Sequence, residues 1–196
     1  MAFVVVYDAC VLYPAPVRDL LIRIANAGIV RARWTDRILD ECFRSIRKQR
    51  PDLAPASLDR TRQLMNDAVP DCLVLGYEPL IEGLALPDID DRHVLAAAIR
   101  ANAQAIVTFN LADFPAETLG RYDIEAKHPD DFVLDSIDLA QAAVVRCIND
   151  QAAELRNPPQ SVPQVLDTLR AQGLAQSVAR LRELLGPPAA LDEVLQ

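Results

Sequence analysis

The chain has 196 residues, of which 51% are apolar and 24% are charged, so it can bury a core and is not a disordered protein. This length fits one ordinary domain, at most with a small appendage. The formal net charge of −8 and the pI of about 4.7 argue against a general nucleic-acid-binding protein, unless a local basic patch or a cation offsets the acidic residues.

The first two thirds of the chain alternate short apolar runs with helical patterns. Residues 3–7 form a continuous, β-branched run that predicts a buried parallel strand. Further strands are predicted over 29–34, 72–75, 106–108 and 124–126, and helices over 16–27, 36–49, 57–68 and 92–103. Strands that alternate with helices imply βαβ crossovers, so we expect a parallel sheet with helices on both faces.

After about residue 129 only helical patterns remain. Apolar residues recur at helical spacing from Ile137 to Leu155, and two shorter helices are predicted over 162–172 and 174–185. The sequence therefore predicts an α/β domain over residues 1–131 and a helical C-terminal extension over residues 132–196. The extension is too small to hold much core alone, so we expect it to dock on the domain or on a partner.

Cysteine and histidine usage gives no sign of a disulfide framework or a zinc site. The four cysteines are Cys10, Cys42, Cys72 and Cys147, and the two histidines are His93 and His128. None of the cysteines forms a C-x-x-C motif, and we interpret them as reduced, mostly buried residues of a cytoplasmic protein. No signal peptide is visible, and no apolar run approaches the length of a membrane span.

Acidic residues follow the ends of two predicted strands. Asp8 ends the first apolar run, and Asp113 lies shortly after the run over 106–108, at positions where open α/β sheets place ligand sites. Between them lie Glu41, within a helical pattern, and the turn 88–91 with three further aspartates. Carboxylates that converge without a cation repel each other, and oxygen ligands alone suit Mg²⁺ or Mn²⁺.

Four sequence blocks carry these acids in a recognisable order. They are VVVYD ending at Asp8, WTDRILDE ending at Glu41, LPDIDDRHVLAAA starting at Leu86, and IVTFNLADFP starting at Ile106. Together the blocks resemble the PIN-domain nucleases and, more narrowly, the VapC-type toxins of bacterial toxin–antitoxin pairs. The resemblance covers roughly the first two thirds of the chain, and the helical tail resembles an extension found on a subset of these toxins.

The resemblance implies a three-layer α/β/α sandwich with a parallel sheet. It also implies a metal-dependent endoribonuclease that acts on structured RNA such as tRNA and is inhibited by a cognate antitoxin; homodimers are common in the family. The site residues carried over by position are Asp8, Glu41, Asp91 and Asp113, with Thr108 and Asn110 beside them. Asp91 is preferred to the adjacent Asp90 because it falls five residues before Ala96, as the family motif requires.

Phosphodiester hydrolysis indicates a role for each of these residues. The reaction needs a nucleophilic water, a clamp on the non-bridging oxygens and help for the leaving oxygen, which divalent ions can supply. Our hypothesis is that Asp8, Asp91 and Asp113 bind Mg²⁺ or Mn²⁺, while Glu41 completes a second site or orients the attacking water. Thr108 and Asn110 would position a carboxylate or the phosphate, and Arg92, at the rim of the pocket, would contact the phosphate.

Each of these residues also has an ordinary structural interpretation. Asp8 can form an Asx-turn, Glu41 can be an exposed helix residue, and Asp113 can cap a turn. Asp90 is predicted to be the N-cap of the following helix, and His93 a helix-surface or packing residue. The basic run Arg44, Arg47, Lys48 and Arg50 fits a solvated helix end or an RNA backbone contact equally well.

Other function classes fit less well. A phospho-accepting receiver would need a second acid beside Asp8 and a lysine after the strand that ends at Thr108, and both are missing. An aspartyl phosphatase would need an aspartate two residues after Asp8, where Cys10 stands. The alternative that remains open is a catalytically inactive PIN-like module that binds RNA or protein.

Overall fold

A four-stranded parallel sheet forms the centre of the protein, whose computed structural model describes residues 3–186. The strands are β1 (Val4–Tyr7), β2 (Arg31–Arg33), β3 (Ala105–Val107) and β4 (Glu125–Lys127), in the spatial order β2-β1-β3-β4. In the central pair, Val6 of β1 is in register with Ile106 of β3, and both are fully buried. Both central strands are continuously apolar because helices cover both faces of a parallel sheet.

Helices connect the strands and continue after the last one. They are α1 (Ala9–Leu12), α2 (Ala15–Asn26), α3 (Asp36–Gln49), α4 (Pro55–Ala68), α5 (Arg92–Arg100), α6 (Ala116–Leu119), α7 (Pro129–Glu154), α8 (Val162–Ala171) and α9 (Ala175–Leu185). Short 3₁₀ segments occur at Glu78–Gly83, Leu111–Asp113 and Gly120–Tyr122. The predicted α/β sandwich with a parallel sheet and a C-terminal helical region is confirmed.

Helix α3 shows how local sequence sets an element of this fold. Thr35 is its N-cap, and the Thr35 hydroxyl accepts a hydrogen bond from the Ile38 amide at 3.1 Å. Its apolar residues recur every three or four positions and are all buried: Ile38, Leu39, Cys42, Phe43 and Ile46. The helix predicted from this pattern therefore ends at the predicted residue, Gln49.

The predicted strand over residues 72–75 is wrong. Only Leu73 forms a bridge, in parallel pairing with Trp34 just beyond β2. Two backbone hydrogen bonds, both 2.9 Å long, join Trp34 to Cys72 and Val74. Asp71 and Gly76 have φ angles of 55° and 70°, so the chain turns on both sides of this short contact and cannot extend it into a ladder.

Helix α5 is shorter than the predicted helix over 92–103. It ends at Arg100, and Asn102 then adopts a φ of 49°. Asparagine tolerates this left-handed conformation better than most residues and commonly ends a helix in this way. The truncated helix still packs its apolar face on β1 and β3, which fixes the position of its N-terminal residues at the end of the sheet.

The C-terminal helices pack on the α/β part and on each other. Helix α7 begins at Pro129, with the Nδ1 atom of His128 accepting a hydrogen bond from the Asp130 amide at 3.2 Å, and it is kinked at Ala140. Helix α2 contacts both α7 and α8, and α9 packs on α7. The predicted boundary after residue 131 lies within the first turn of α7, and the last part of the predicted extension, residues 187–196, lies outside the described residues.

Two further observations bear on the surroundings of the protein. Between residues 3 and 186, no helix is both long enough and apolar enough to cross a membrane. The apolar residues Leu20, Leu21 and Ile24 of α2 are completely buried within the chain. This face of α2 packs inside the chain, and the homodimers that the resemblance implies stay a prediction.

Candidate active site

The predicted site residues lie where β1 and β3 end side by side. Asp8 follows β1 directly, and its amide donates a hydrogen bond to the Val107 carbonyl at 3.1 Å. Thr108 follows β3. Strand β2 lies on one side of β1, and β3 and β4 lie on the other. The chain therefore leaves β1 toward one edge of the sheet and leaves β3 toward the opposite edge. Such a switch point opens a crevice beyond the carboxyl ends of the strands, where α/β proteins bind their ligands.

The carboxylate of Asp8 is buried and held by three donors. Its Oδ1 atom accepts a hydrogen bond from the Ala9 amide at 2.7 Å, and Oδ2 accepts from the Thr108 hydroxyl at 2.8 Å and the Cys10 thiol at 3.0 Å. Asp8 is 5% exposed and is also the N-cap of α1. These contacts hold the Asp8 carboxylate at the end of β1 as the N-cap of α1, and its role as a metal ligand stays a prediction.

Thr108 and Asn110 extend from the end of β3 beside Asp8. The Thr108 hydroxyl is fully buried, donates to Asp8, and accepts a hydrogen bond from the Asn110 amide at 3.0 Å. Asn110 is exposed. The structure therefore brings the Thr108 hydroxyl into contact with the Asp8 carboxylate, whereas Asn110, two residues further on, is exposed, and its contact with a carboxylate or phosphate stays a prediction.

Asp91 lies among the other acids. It occupies the N-cap position of α5, but its side chain makes no capping hydrogen bond. Burial and, in decreasing order of effect, the negative charges of Asp8, Asp88, Asp113 and Glu41 together raise the pKa of Asp91 to about 7. Asp91 is therefore near enough to these carboxylates for their charges to act on it.

The predicted role of Asp90 as the helix N-cap is wrong. Asp91 holds that position, and Asp90 is exposed, with its amide donating to the Asp88 carboxylate at 2.8 Å. This Asx-turn closes the loop ahead of α5. Asp91, the residue chosen from the family motif, is partly buried, whereas its neighbour Asp90 is exposed to solvent. Which of the two binds a metal ion stays a prediction.

Glu41 is not the exposed helix residue of the structural interpretation. Its side chain is 30% exposed, and the Nε2 atom of His93 lies 3.0 Å from Oε1 and 3.1 Å from Oε2. The Nε atom of Arg37 donates to Oε1 at 3.3 Å. Burial alone would raise the pKa of Glu41, but the hydrogen bonds and charges of His93 and Arg37 outweigh it and lower that pKa. Glu41 is therefore held as a carboxylate beside the cluster.

His93 is the site residue whose role the sequence did not reveal. It is 1% exposed, so the helix-surface interpretation is wrong, and its Nδ1 atom is buried without a hydrogen-bond partner in the described part of the chain. Its partner Glu41 lies 52 residues earlier in the sequence, on α3. No local pattern links the two residues; the signal available was only a histidine among the apolar residues of α5.

The basic residues near the site differ in their exposure and in whether they have hydrogen-bond partners within the chain. Arg92, the first residue of α5, has a buried Nε atom without a hydrogen-bond partner among residues 3–186. Arg50 donates two hydrogen bonds, of 2.9 and 2.6 Å, to Asp52. Arg44, Arg47 and Lys48 are exposed along α3. The phosphate contact of Arg92 and both interpretations of the basic run stay predictions.

The donor atoms of the site suit a hard divalent cation. Carboxylate, hydroxyl and amide oxygens surround the crevice, and these are the ligands that Mg²⁺ and Mn²⁺ prefer. Within the described part of the chain, no three histidine, cysteine, aspartate or glutamate side chains are close enough together to hold an ion by themselves. The arrangement fits an open site, because Mg²⁺ usually keeps several waters and binds one or two carboxylates together with phosphate oxygens.

Comparisons with known proteins agree with this geometry. Residues 4–112 match the PIN domain, and residues 129–183 match the VapC50 C-terminal domain. The chain is 41% identical over 122 residues to “Putative ribonuclease VapC50” of Mycobacterium tuberculosis (strain ATCC 25618 / H37Rv), which covers 61% of this chain and 71% of that protein. No solved structure matches the chain significantly.

A parallel sheet with a crevice of acids at its switch point is the arrangement of a PIN domain, and this match spans more than half of the chain. The chain therefore belongs to the PIN domain family. The second match begins at residue 129, where α7 begins, and ties the helical region to the VapC50 type. The resemblance to VapC-type PIN proteins that the four sequence blocks indicated is confirmed.

Proposed function

We propose that this protein is a metal-dependent endoribonuclease, the toxin of a type II toxin–antitoxin pair, and that it cleaves structured RNA such as tRNA. The observation that carries the proposal is the buried Asp8 carboxylate directly after β1 with other acids near it: burial and the neighbouring charges, those of Asp8 and Asp113 among them, raise the pKa of Asp91. The similarity to “Putative ribonuclease VapC50” supports the substrate class. Acids that repel each other cost stability, and a protein gains from them when they hold a cation.

Asp8, Asp91 and Asp113 would hold Mg²⁺ or Mn²⁺ in this crevice. Bound there, the ion would neutralise the carboxylates, polarise the phosphate and make water a better nucleophile. Thr108 keeps the Asp8 carboxylate in one orientation through its hydroxyl. The burial of Asp8 and Thr108 excludes bulk water from one side of the crevice, which strengthens electrostatic interactions with a bound phosphate.

Other residues of the chain would bind the RNA. The guanidinium of Arg92 would donate hydrogen bonds to a phosphate oxygen, and the exposed side chain of Asn110 would do the same. Glu41 would either complete a second metal site or orient the attacking water. The exposed cations Arg44, Arg47 and Lys48 lie on the same helix as Glu41, so they can offset the overall charge of −8 for an RNA backbone.

Regulation would come from a cognate antitoxin. We propose that a small DNA-binding antitoxin is encoded immediately upstream and that one of its basic side chains enters the acidic crevice and competes with the metal ion. Homodimers also remain part of the proposal. Co-expression with the upstream reading frame should give a complex on size-exclusion chromatography that cleaves RNA only after the antitoxin is removed.

The decisive experiment is cleavage of total RNA by the purified, antitoxin-free protein. We expect cleavage with Mg²⁺ or Mn²⁺ and none with a chelator. Asp8→Asn and Asp91→Asn should abolish cleavage, whereas Asp90→Asn, a neighbouring acid that faces solvent, should retain it. Folded wild-type protein that fails to cleave RNA with either metal ion would refute the proposal.

One observation favours a second candidate function. Because no three potential ligands in the described residues are close enough to hold an ion by themselves, a catalytically inactive PIN-like module that binds RNA or protein is the alternative. Such a module would bind RNA equally well with Mg²⁺ and with chelator and would leave it intact. Gel-shift and cleavage assays on the same samples separate the two functions.

A further inference from the structure

We propose that His93 is a positioning residue: it holds the Glu41 carboxylate toward the water that attacks the RNA phosphate, so that Glu41 serves this water and not a second metal ion. This inference rests on the proposed ribonuclease function and assigns one of the two roles left open for Glu41. It is carried by the contact between His93 on α5 and Glu41 on α3, by the burial of His93, and by the way both carboxylate oxygens are used.

The contact is direct and directional. The Nε2 atom of His93 lies within 3.1 Å of both oxygens of Glu41. A carboxylate oxygen only accepts hydrogen bonds, so Nε2 carries the proton and donates. The other ring nitrogen, Nδ1, is buried and has no partner among residues 3–186. The ring therefore makes its one polar contact with Glu41.

His93 is also the more rigid of the two partners of Glu41. The His93 side chain is completely buried, on a helix that packs on both central strands. The other partner, Arg37, lies one turn before Glu41 on the same helix and has a 43% exposed side chain. Solvent competes for an exposed ion pair of this kind. The position of the carboxylate is therefore set by the buried ring, which the sheet in turn holds in place.

The use of the oxygens favours water over a second ion. Both oxygens face the Nε2–H group, and Oε1 also faces the positive charge of Arg37 at 3.3 Å. A divalent ion on the same oxygens would lie close to these donors and would be repelled by the guanidinium. A water molecule has no such conflict, because it can donate a proton to an unused lone pair while its oxygen faces the phosphate.

In the proposed step, Glu41 acts as the general base for the attacking water. As the water oxygen bonds to phosphorus, its proton passes to the Glu41 carboxylate, and the bond between phosphorus and the leaving ribose oxygen breaks. The leaving oxygen takes a proton from solvent, and Glu41 later returns its proton to solvent. In this step His93 keeps its own proton throughout, since its Nε2–H group only orients the carboxylate.

The kinetic test compares three variants with the wild type. His93→Leu removes the donor at similar volume, His93→Gln keeps an N–H group near the Nε2 position, and Glu41→Gln removes the base. We expect His93→Leu to lower kcat by about 10- to 100-fold, as loss of a residue that orients a site residue typically does. The KM for RNA and the half-saturating Mn²⁺ concentration should stay within about twofold of wild type, since neither binding event uses His93.

Rescue and coupling distinguish positioning from packing. We expect His93→Gln to recover most of the lost activity, and the double variant Glu41→Gln with His93→Leu to be no slower than Glu41→Gln alone. Should His93→Leu lower the melting temperature while kcat per folded molecule stays at the wild-type value, the inference is overturned. An increase of about tenfold or more in half-saturating Mn²⁺, with kcat unchanged at saturation, would show that Glu41 is a metal ligand and would also overturn it.

A second readout needs neither metal nor RNA. The chain has only two histidines, so the ring resonances of His93 can be assigned in ¹⁵N-labelled protein with His128→Asn, which keeps a cap for α7, as the reference. In metal-free protein we expect a slowly exchanging Nε2–H proton on His93 that is lost in Glu41→Ala. A rapidly exchanging proton in the wild type would overturn the inference even if the enzyme is active.

The proposed function and the inference about His93 can be refuted separately. If wild-type protein cleaves RNA with metal and His93→Leu cleaves it equally fast, the inference about His93 fails and the proposed function stands. If folded wild-type protein does not cleave RNA, the proposed function fails, and the role of Glu41 toward water fails with it. Glu41→Gln alters only a partly exposed side chain and covers the case in which His93→Leu does not fold.

Discussion

Asp91 and Asp130 are two aspartates whose surroundings are opposite. Asp130, at the start of α7, is 4% exposed and accepts hydrogen bonds from the Gln176 amide at 2.8 Å, the Ser177 amide at 2.8 Å and the Ser177 hydroxyl at 2.6 Å. Asp91, at the N-cap position of α5, makes no capping hydrogen bond, and burial together with the charges of the neighbouring acids raises its pKa to about 7. The Asp130 carboxylate accepts hydrogen bonds on both oxygens, whereas the Asp91 carboxylate is repelled by the negative charges of its neighbours.

This difference separates a structural carboxylate from one kept for a ligand. Asp130 satisfies two of the N–H groups that the first turn of α9 leaves unpaired, and so it ties α9 to α7. The Asp91 side chain makes no such hydrogen bond to the first turn of α5. The C-terminal helices should therefore lose stability when their aspartate is removed, whereas the crevice should lose activity and gain stability.

The largest expected effect is on cleavage. Replacing Asp91 with Asn should lower RNA cleavage by about a thousandfold or more, since it removes a carboxylate from the crevice that stabilises charge in the transition state. Replacing Asp90 with Asn should change the rate by less than about threefold, since Asp90 faces solvent. Single-turnover rates with Mn²⁺ measure both. Equal losses in the two variants would contradict the separation between these neighbouring acids.

The second effect concerns the C-terminal helices. Replacing Asp130 with Ala should lower the free energy of unfolding by about 2–4 kcal/mol, because two buried donors of Ser177 and the part-buried amide of Gln176 lose a charged acceptor. Asp131, the exposed neighbour in the same first turn, is the matched control, and Asp131→Ala should cost less than about 1 kcal/mol. Urea denaturation followed by circular dichroism gives both values. A small loss in Asp130→Ala would mean that α9 docks independently of this contact.

A third effect appears in the pH dependence of metal-free stability. The pKa of Asp91 is about 7 in the folded protein, against 3.8 for an ordinary aspartate, so the folded state binds this proton more tightly than the unfolded state does. The stability that protonated Asp91 contributes is present below about pH 4 and is lost as the pH rises through 7. We expect wild-type protein to gain about 1 kcal/mol between pH 8 and pH 5 from this group, a value reduced for solvent screening because Asp91 is half-exposed.

Asp91→Asn removes this titration and is the control for it. The variant should be more stable than wild type at pH 8 and should lack the gain on going to pH 5. Thermal melts in chelator at both pH values measure the difference. If wild type and Asp91→Asn have parallel stability curves from pH 5 to pH 8, the crowding of Asp91 does not affect folding.

The smallest effect tests the exposed partner of Glu41. Replacing Arg37 with Ala should lower kcat by no more than about twofold to threefold, because an exposed ion pair one turn apart on a helix is weak. The same assay used for His93→Leu gives this value. A loss in Arg37→Ala as large as that in His93→Leu would move the positioning of Glu41 from the buried ring to the surface arginine.

Much of the fold follows from local sequence. The apolar run before Asp8 predicts β1, and Thr35 with its apolar spacing predicts α3, because a strand or a helix cap depends on residues within about one turn of each other. The contact between Asp8 and Thr108, which are 100 residues apart, could also be predicted. The rule that parallel strands end at the same edge of a sheet links them.

Other features depended on tertiary context. The strand predicted over 72–75 reduces to one bridge, because the turns at Asp71 and Gly76 limit its length. Asp90 and Asp91 are adjacent aspartates, so local sequence could not decide which one would be buried. The family motif favoured Asp91, and in the structure Asp91 is partly buried while Asp90 lies exposed in the Asx-turn formed by Asp88. The choice depends on the path of the loop.

The amino-acid sequence by itself determined the parallel α/β sheet, the acids at its edge and the helical region that follows, because these features repeat at the period of a strand or a helix. The tertiary structure alone decided that His93 is buried against Glu41 and that Asp130 closes α9 on α7. Both pairs join residues from helices far apart in the chain. The physical reason is that the packing of helices on the sheet, and not the local backbone, sets which side chains meet.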